Sequence, residues 1–147
     1  MFLIRMPLNF AFLNMNAADS IIGSGDYEHE HWHVGGRSLG GAMAVVYAAD
    51  NTSQLDGLVV LAAYPTKSLR HPGFRMPSVY GTEDGEVDKL RSHADLRPQD
   101  YTETVIGGGN HAQLGDYGTQ EGDGVATISA QEQQERTAEA VAAFTQE

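Results

Sequence analysis

The chain has 147 residues and sets 20 Asp and Glu against 9 Lys and Arg, a formal charge of −11. That length suits one domain with its own core, and so negative a chain would be repelled by nucleic acid and by anionic membrane surfaces, which argues against both as partners. Cysteine is absent, so disulfides, thiol nucleophiles and thiolate metal ligands are excluded together. With 41% hydrophobic and 20% charged residues, a folded soluble domain is expected rather than disorder.

Residues 1–13 (MFLIRMPLNFAFL) are apolar but interrupted by Pro7 and Asn9, and no Ala-x-Ala cleavage pattern follows. They read as a core segment rather than a signal peptide, which favours a cytoplasmic location, and no apolar run reaches the length of a membrane span. Residues 2–6 are predicted as a short strand ending at Pro7, and 17–22 as a short helix with Asn16 as its N-cap. Residues 23–30 are polar and turn-rich. Residues 31–35 read as a strand running into glycines. Residues 39–49 (LGGAMAVVYAA) are apolar nearly all round, as in a helix buried against a sheet. Residues 55–63 (LDGLVVLAA) are the strongest strand, apolar enough to be covered on both faces. A loop over 66–75 leads to a strand at 77–80, a short helix at 87–93, and an alternating strand at 101–106. A long Gly/Asp/Gln loop over 110–124 precedes the last helix. That helix starts with the capping-box pair Ser129 and Glu132, and sets Thr137, Val141 and Phe144 on one face. Strands alternating with helices predict an α/β fold, a mostly parallel sheet flanked by helices, whose ligands sit at the carboxyl ends of the strands.

Three residues that can do chemistry each follow a predicted strand. Ser38 lies in Gly36-Arg37-Ser38-Leu39-Gly40, a G-x-S-x-G pattern between a strand and a helix. A serine on so sharp a turn needs neighbours without colliding side chains, and Gly35 and Gly41 widen the clearance. The backbone N–H of Leu39, at the helix start, can then face a developing oxyanion. Asp84, after the strand at 77–80, can orient an imidazole, with Glu83, Glu86 and Asp88 as competing carboxylates. His111, after Gly107-Gly108-Gly109-Asn110, sits on a loop flexible enough to reach both a serine and an acid.

Other features invite chemistry with less support. His29, His31 and His33 would share one side of a strand, as metal ligands can, but they stand at its entry, away from the expected active edge, and read as polar entry residues with no metal. The three glycines at 107–109 lack the Lys-Ser/Thr of a phosphate loop. Asp116 and Asp123 lack EF-hand spacing, so 110–124 reads as a surface flap near the site. Arg37 reads as a solvent-facing residue of the turn, with contact to an anionic substrate as the alternative. Tyr64, just after a strand, is placed to line an acyl pocket.

The segments 5–19, 31–50, 55–65, 79–88 and 107–129, among them HVGGRSLGGAMAVVYAAD, VYGTEDGEVD and GGGNHAQLGDYGTQEGDGVATIS, resemble the α/β-hydrolase superfamily, in particular its small dienelactone-hydrolase-like branch. The resemblance implies Ser38 as nucleophile, Asp84 as acid, His111 as base and Leu39 as an oxyanion N–H, with a small-molecule acyl substrate and no cofactor. In that family earlier strands precede the segment resembling 2–6, and one of them ends in a glycine-rich loop giving a second oxyanion donor. The resemblance therefore implies one amino-terminally truncated domain over 1–147, with a gap beside the strand that leads to Ser38 and weak or no activity of its own. Two readings follow. One is a serine hydrolase of carboxylic esters or related acyl bonds. The other is a non-catalytic hydrolase-like fragment that binds a partner, or forms a homo-oligomer, through an open sheet edge.

Overall fold

The computed structural model describes residues 1–6, 14–24, 31–116 and 118–146. In chain order the elements are α1 (Asp19–Ile22), β1 (His33–Arg37), α2 (Leu39–Asp50), β2 (Gly57–Leu61), β3 (Arg75–Gly81), α3 (Val87–Arg91), β4 (Asp100–Ile106) and α4 (Ala130–Thr145), with 3-10 turns at Ala94–Leu96 and Ala112–Leu114. The strands form one parallel sheet in the order β1-β2-β3-β4. The expected α/β architecture is therefore present, and every strand points its carboxyl end the same way.

Strand alternation divides the core. Val34, Leu58, Val60 and Met76 point into one layer with Val45, Tyr47 and Ala48 of α2, together with Leu69 and Phe74. The neighbouring residues in sequence point to the opposite face, where His33 meets the Phe144 ring of α4 edge-on at 4.8 Å. Successive residues of β1 thus pack against different helices, and the sheet is covered on both sides. Gly57 permits the α4 contact, because a Cβ there would lie 2.9 Å from the Phe144 ring and 2.6 Å from the Arg75 carbonyl oxygen. Continuous burial of β2 explains why its sequence is an unbroken apolar run.

The start of α4 follows its sequence signal in part. The Ser129 hydroxyl accepts the Glu132 N–H at 3.1 Å, but the Glu132 carboxylate pairs with Arg136 instead of closing the capping box. Buried Gln133 joins Thr137 and Phe144 on the inward face. The N-cap of α1 is Ala18 rather than Asn16, and no side chain caps it.

Residues 2–6 are not a strand. They are held by side chains: Phe2 stacks on Trp32 with centroids 6.1 Å apart, and Ile4 packs against the α2-side core. Five residues ending at a proline, which donates no ladder hydrogen bond, gain little from pairing. Among the described residues β1 therefore ends the sheet, and no helix is long and apolar enough to cross a membrane.

Candidate active site

Ser38 is the single residue between β1 and α2, and its backbone takes φ 50°, ψ −123°, where a side chain is strained. The turn is locked from both sides. Its N–H donates to the Leu61 carbonyl at 2.9 Å, and its own carbonyl accepts the Ala42 N–H at 2.9 Å. The steric demand falls on Gly36 of the motif and on Gly41 beside it, but not on Gly40. A Cβ on Gly36 would lie 2.5 Å from the Gly40 carbonyl, and one on Gly41 would lie 2.6 Å from the Ala63 Cβ, whereas one on Gly40 meets nothing. Leu39 opens α2, and its N–H donates to no backbone acceptor among the described residues, as expected of a first-turn amide.

Asp84 lies three residues past the end of β3, and His111 five past the end of β4. The structure joins them: His111 Nδ1 and Asp84 Oδ2 are 2.9 Å apart, with the Asp84 side chain fully buried and His111 only 16% exposed. A carboxylate only accepts, so in the neutral imidazole the proton sits on Nδ1 and Nε2 is left as the acceptor. The second carboxylate oxygen, Oδ1, accepts the Glu86 N–H at 2.9 Å. Burial separates Asp84 from its competitors, since Glu83 binds the Thr82 hydroxyl and Glu86 pairs with Lys89 at the surface. Ser38 and His111 border one open cleft of about 420 Å³, also lined by Gly85, Glu86 and residues 120–123. The Ser38 hydroxyl and the imidazole border the same cleft without a hydrogen bond between them among the described residues.

The loop that carries His111 is packed rather than loose. Gly108 donates its N–H to the Thr82 hydroxyl at 2.8 Å, and the Gly109 carbonyl accepts the Glu83 N–H at 2.8 Å. A Cβ on Gly109 would lie 2.8 Å from the Gln133 carboxamide. Buried Gln133 in turn accepts the Asn110 N–H at 3.0 Å and donates to the Asn110 carbonyl at 2.7 Å. Gly108 and Gly109 thus provide close approach, whereas a Cβ on Gly107 would meet nothing within 4 Å. Asp123, on the flap, accepts the N–H groups of His111 and Ala112. Sequence reasoning missed Gln133 and Asp123, because their partners lie on segments distant in the chain.

Other expectations resolve differently. Arg37 is not simply solvent-facing: its guanidinium donates to the His111 carbonyl at 2.9 Å and to Gln120 at 3.1 Å. Tyr64 stacks on His93, centroids 5.1 Å apart, and does not border the cleft. His29 lies outside the described residues. His31 binds Asp56 at 3.2 Å, while His33 turns to Phe144, so the two do not converge, and no metal-holding group occurs among the described residues.

Burial pushes the His33 pKa below the ordinary histidine value, opposed by the Asp56 charge and aided by Arg75 and His31. The unfolded chain therefore binds more protons there than the folded one. This part of stability is complete above the unfolded value of about 6.5 and is lost as pH falls toward the lower folded value. Urea midpoints should accordingly fall between pH 7.5 and 5.5, and His33→Gln should flatten that slope. An unchanged slope in the variant would assign the dependence to other groups.

The parallel sheet, with helices on both faces and a cleft at the strand carboxyl ends, is the architecture of the α/β hydrolases. The sequence model of the alpha/beta hydrolase family matches residues 1–135, and the chain belongs to that family. Family membership supports hydrolysis as its chemistry. None of the curated proteins compared with the chain matches it.

Proposed function

We propose that the chain is a serine hydrolase of carboxylic esters or related acyl bonds, of the dienelactone-hydrolase-like kind, acting on a small-molecule acyl substrate. The observation that carries this is the buried Asp84–His111 pair at 2.9 Å, beside the cleft that a strained serine turn also borders. In this reading Nε2 of His111 takes the Ser38 hydroxyl proton as Oγ attacks the carbonyl carbon. The Leu39 N–H, at the positive end of α2, faces the resulting oxyanion. His111 then returns the proton to the departing alcohol, leaving an acyl-serine. Water, deprotonated by the same nitrogen, attacks the acyl carbon; the C–Oγ bond breaks to release the acid, and His111 returns the proton to Ser38 Oγ. Asp84 keeps the imidazole in the accepting tautomer and stabilises the imidazolium. Every step uses groups of this chain and water, and none calls for a metal or cofactor.

A fluorophosphonate probe tests the reading. Covalent labelling of the purified chain, lost in Ser38→Ala and in His111→Gln, is the expected result. A folded sample that stays unlabelled would overturn it. That outcome would favour the non-catalytic reading, which draws on β1 ending the sheet among the described residues.

A further inference from the structure

His111 is held by its backbone as well as by its ring: charged side chains from two other parts of the site contact its N–H and its C=O, and the C=O also accepts the Leu114 N–H at 3.4 Å. Asp123 Oδ1 accepts the His111 N–H at 3.1 Å, the Gly124 N–H at 3.1 Å and the Gly85 N–H at 3.3 Å, while Oδ2 accepts the Ala112 N–H at 2.8 Å. These donors nearly exhaust the lone pairs of one carboxylate. Because Gly85 follows Asp84 directly, the same carboxylate ties the base's loop to the acid's loop. On the other side, Arg37 Nη2 donates to the His111 carbonyl at 2.9 Å and to Gln120 Oε1 at 3.1 Å. Arg37 precedes Ser38, so this guanidinium ties the base's loop to the serine turn and to the flap over the cleft.

We propose that Arg37 and Asp123 are positioning residues that clamp the His111 peptide between the serine turn and the Asp84 loop, and so set the imidazole in line with both. The catalytic consequence rests on the serine-hydrolase reading; the clamp itself does not. A histidine on a loop has no strand ladder to fix its backbone. Its ring position is set by whatever holds its own N–H and C=O, and here the shorter contacts are two charge-assisted ones from different loops, with the Leu114 N–H at 3.4 Å as a longer local bond to the same carbonyl. A displacement near 1 Å at such a site costs on the order of 10²-fold in rate. Asparagine cannot replace Asp123, because its single acceptor oxygen leaves an NH₂ group facing either the Ala112 N–H or the three amides on the other side. Lysine can replace Arg37 in part, since one ammonium can still reach the His111 carbonyl.

Two readouts on the full chain test the clamp. The first needs no turnover: the tautomer of the His111 imidazole, read by long-range ¹H–¹⁵N correlation in alkaline buffer. The wild type is expected to hold the Nδ1–H form, and Asp123→Asn and Arg37→Met to show mixed tautomers with the far-UV spectrum kept. A mixed wild type, or variants that keep the single tautomer, would overturn the clamp. The second readout is p-nitrophenyl acetate hydrolysis. Asp123→Asn should lower kcat about 10–100-fold with KM within about threefold, and Arg37→Met about tenfold with most of the loss restored in Arg37→Lys. In an Asp84→Asn background the Asp123→Asn effect should shrink to under about threefold, because the ring is already disengaged. Fully multiplicative losses, or a change confined to KM, would show the two residues to be ordinary loop stabilisers. Should Asp123→Asn not fold, the Arg37 pair decides by the same measures. If the wild type neither labels nor turns over, the hydrolase reading fails while the tautomer still decides the clamp.

Discussion

Asp84→Asn is expected to lower kcat by about 10⁴-fold while leaving the fold and KM nearly unchanged. The argument turns on which way the new amide faces. Oδ1 of Asp84 accepts the Glu86 N–H, and Oδ2 accepts from His111 Nδ1. An asparagine has one acceptor oxygen, and the Glu86 N–H, a fixed backbone donor, claims it. The NH₂ group then points at Nδ1 and makes that nitrogen the acceptor. The proton moves to Nε2, the nitrogen that in the proposed mechanism must accept from Ser38. Asn and Asp have nearly the same shape, so the buried site stays filled and binding is largely preserved. Steady-state kinetics on a p-nitrophenyl ester would show the loss in kcat alone. A loss under about tenfold would remove Asp84 from the role, because control of the imidazole tautomer by a buried carboxylate would then be absent at this pair.

Much of the fold could be read from the linear chain, and the limits have physical causes. The runs around β2 and α2 were legible because both are buried on more than one side, which leaves an unbroken apolar sequence. Ser129 was legible because an N-cap acts on an amide three residues away. Each of these signals is local. Among the carboxylates at 83, 84, 86 and 88, by contrast, the chain offers no ranking; only the burial of Asp84 against His111 does so. Residues 2–6 look like a strand by composition, yet pairing depends on a partner edge, and Phe2 and Ile4 settle instead by side-chain packing. Asp123 resembles part of a solvated flap until Gly85, 38 residues away, is brought beside it. Gln133 likewise looks like an ordinary polar helix residue until Asn110, 23 residues away, folds onto it.

The glycines of the serine turn separate motif from mechanism most sharply. By pattern, Gly36 and Gly40 are equivalent; in the fold they are not. A Cβ on Gly36 would press within 2.5 Å of the Gly40 carbonyl carbon and oxygen and 2.7 Å of the Gly41 nitrogen. All three are backbone atoms at the start of α2, so relief requires moving the helix relative to β1, and Ser38 is the joint between them. Gly36→Ala should therefore cost about 1–3 kcal/mol of stability, and a joint displaced by even a fraction of an ångström should lower kcat by at least about tenfold. A Cβ on Gly40 meets no atom within 4 Å. Gly40 sits inside α2, where alanine is the better helix former by up to about 1 kcal/mol, so Gly40→Ala should leave stability unchanged or raise it. Urea denaturation and ester hydrolysis of the two variants, side by side, distinguish the cases. Equal damage from both would mean that the turn needs glycine at 40 for access to the cleft, and a harmless Gly36→Ala would mean that β1 and α2 are less tightly joined at Ser38 than their backbone contacts imply.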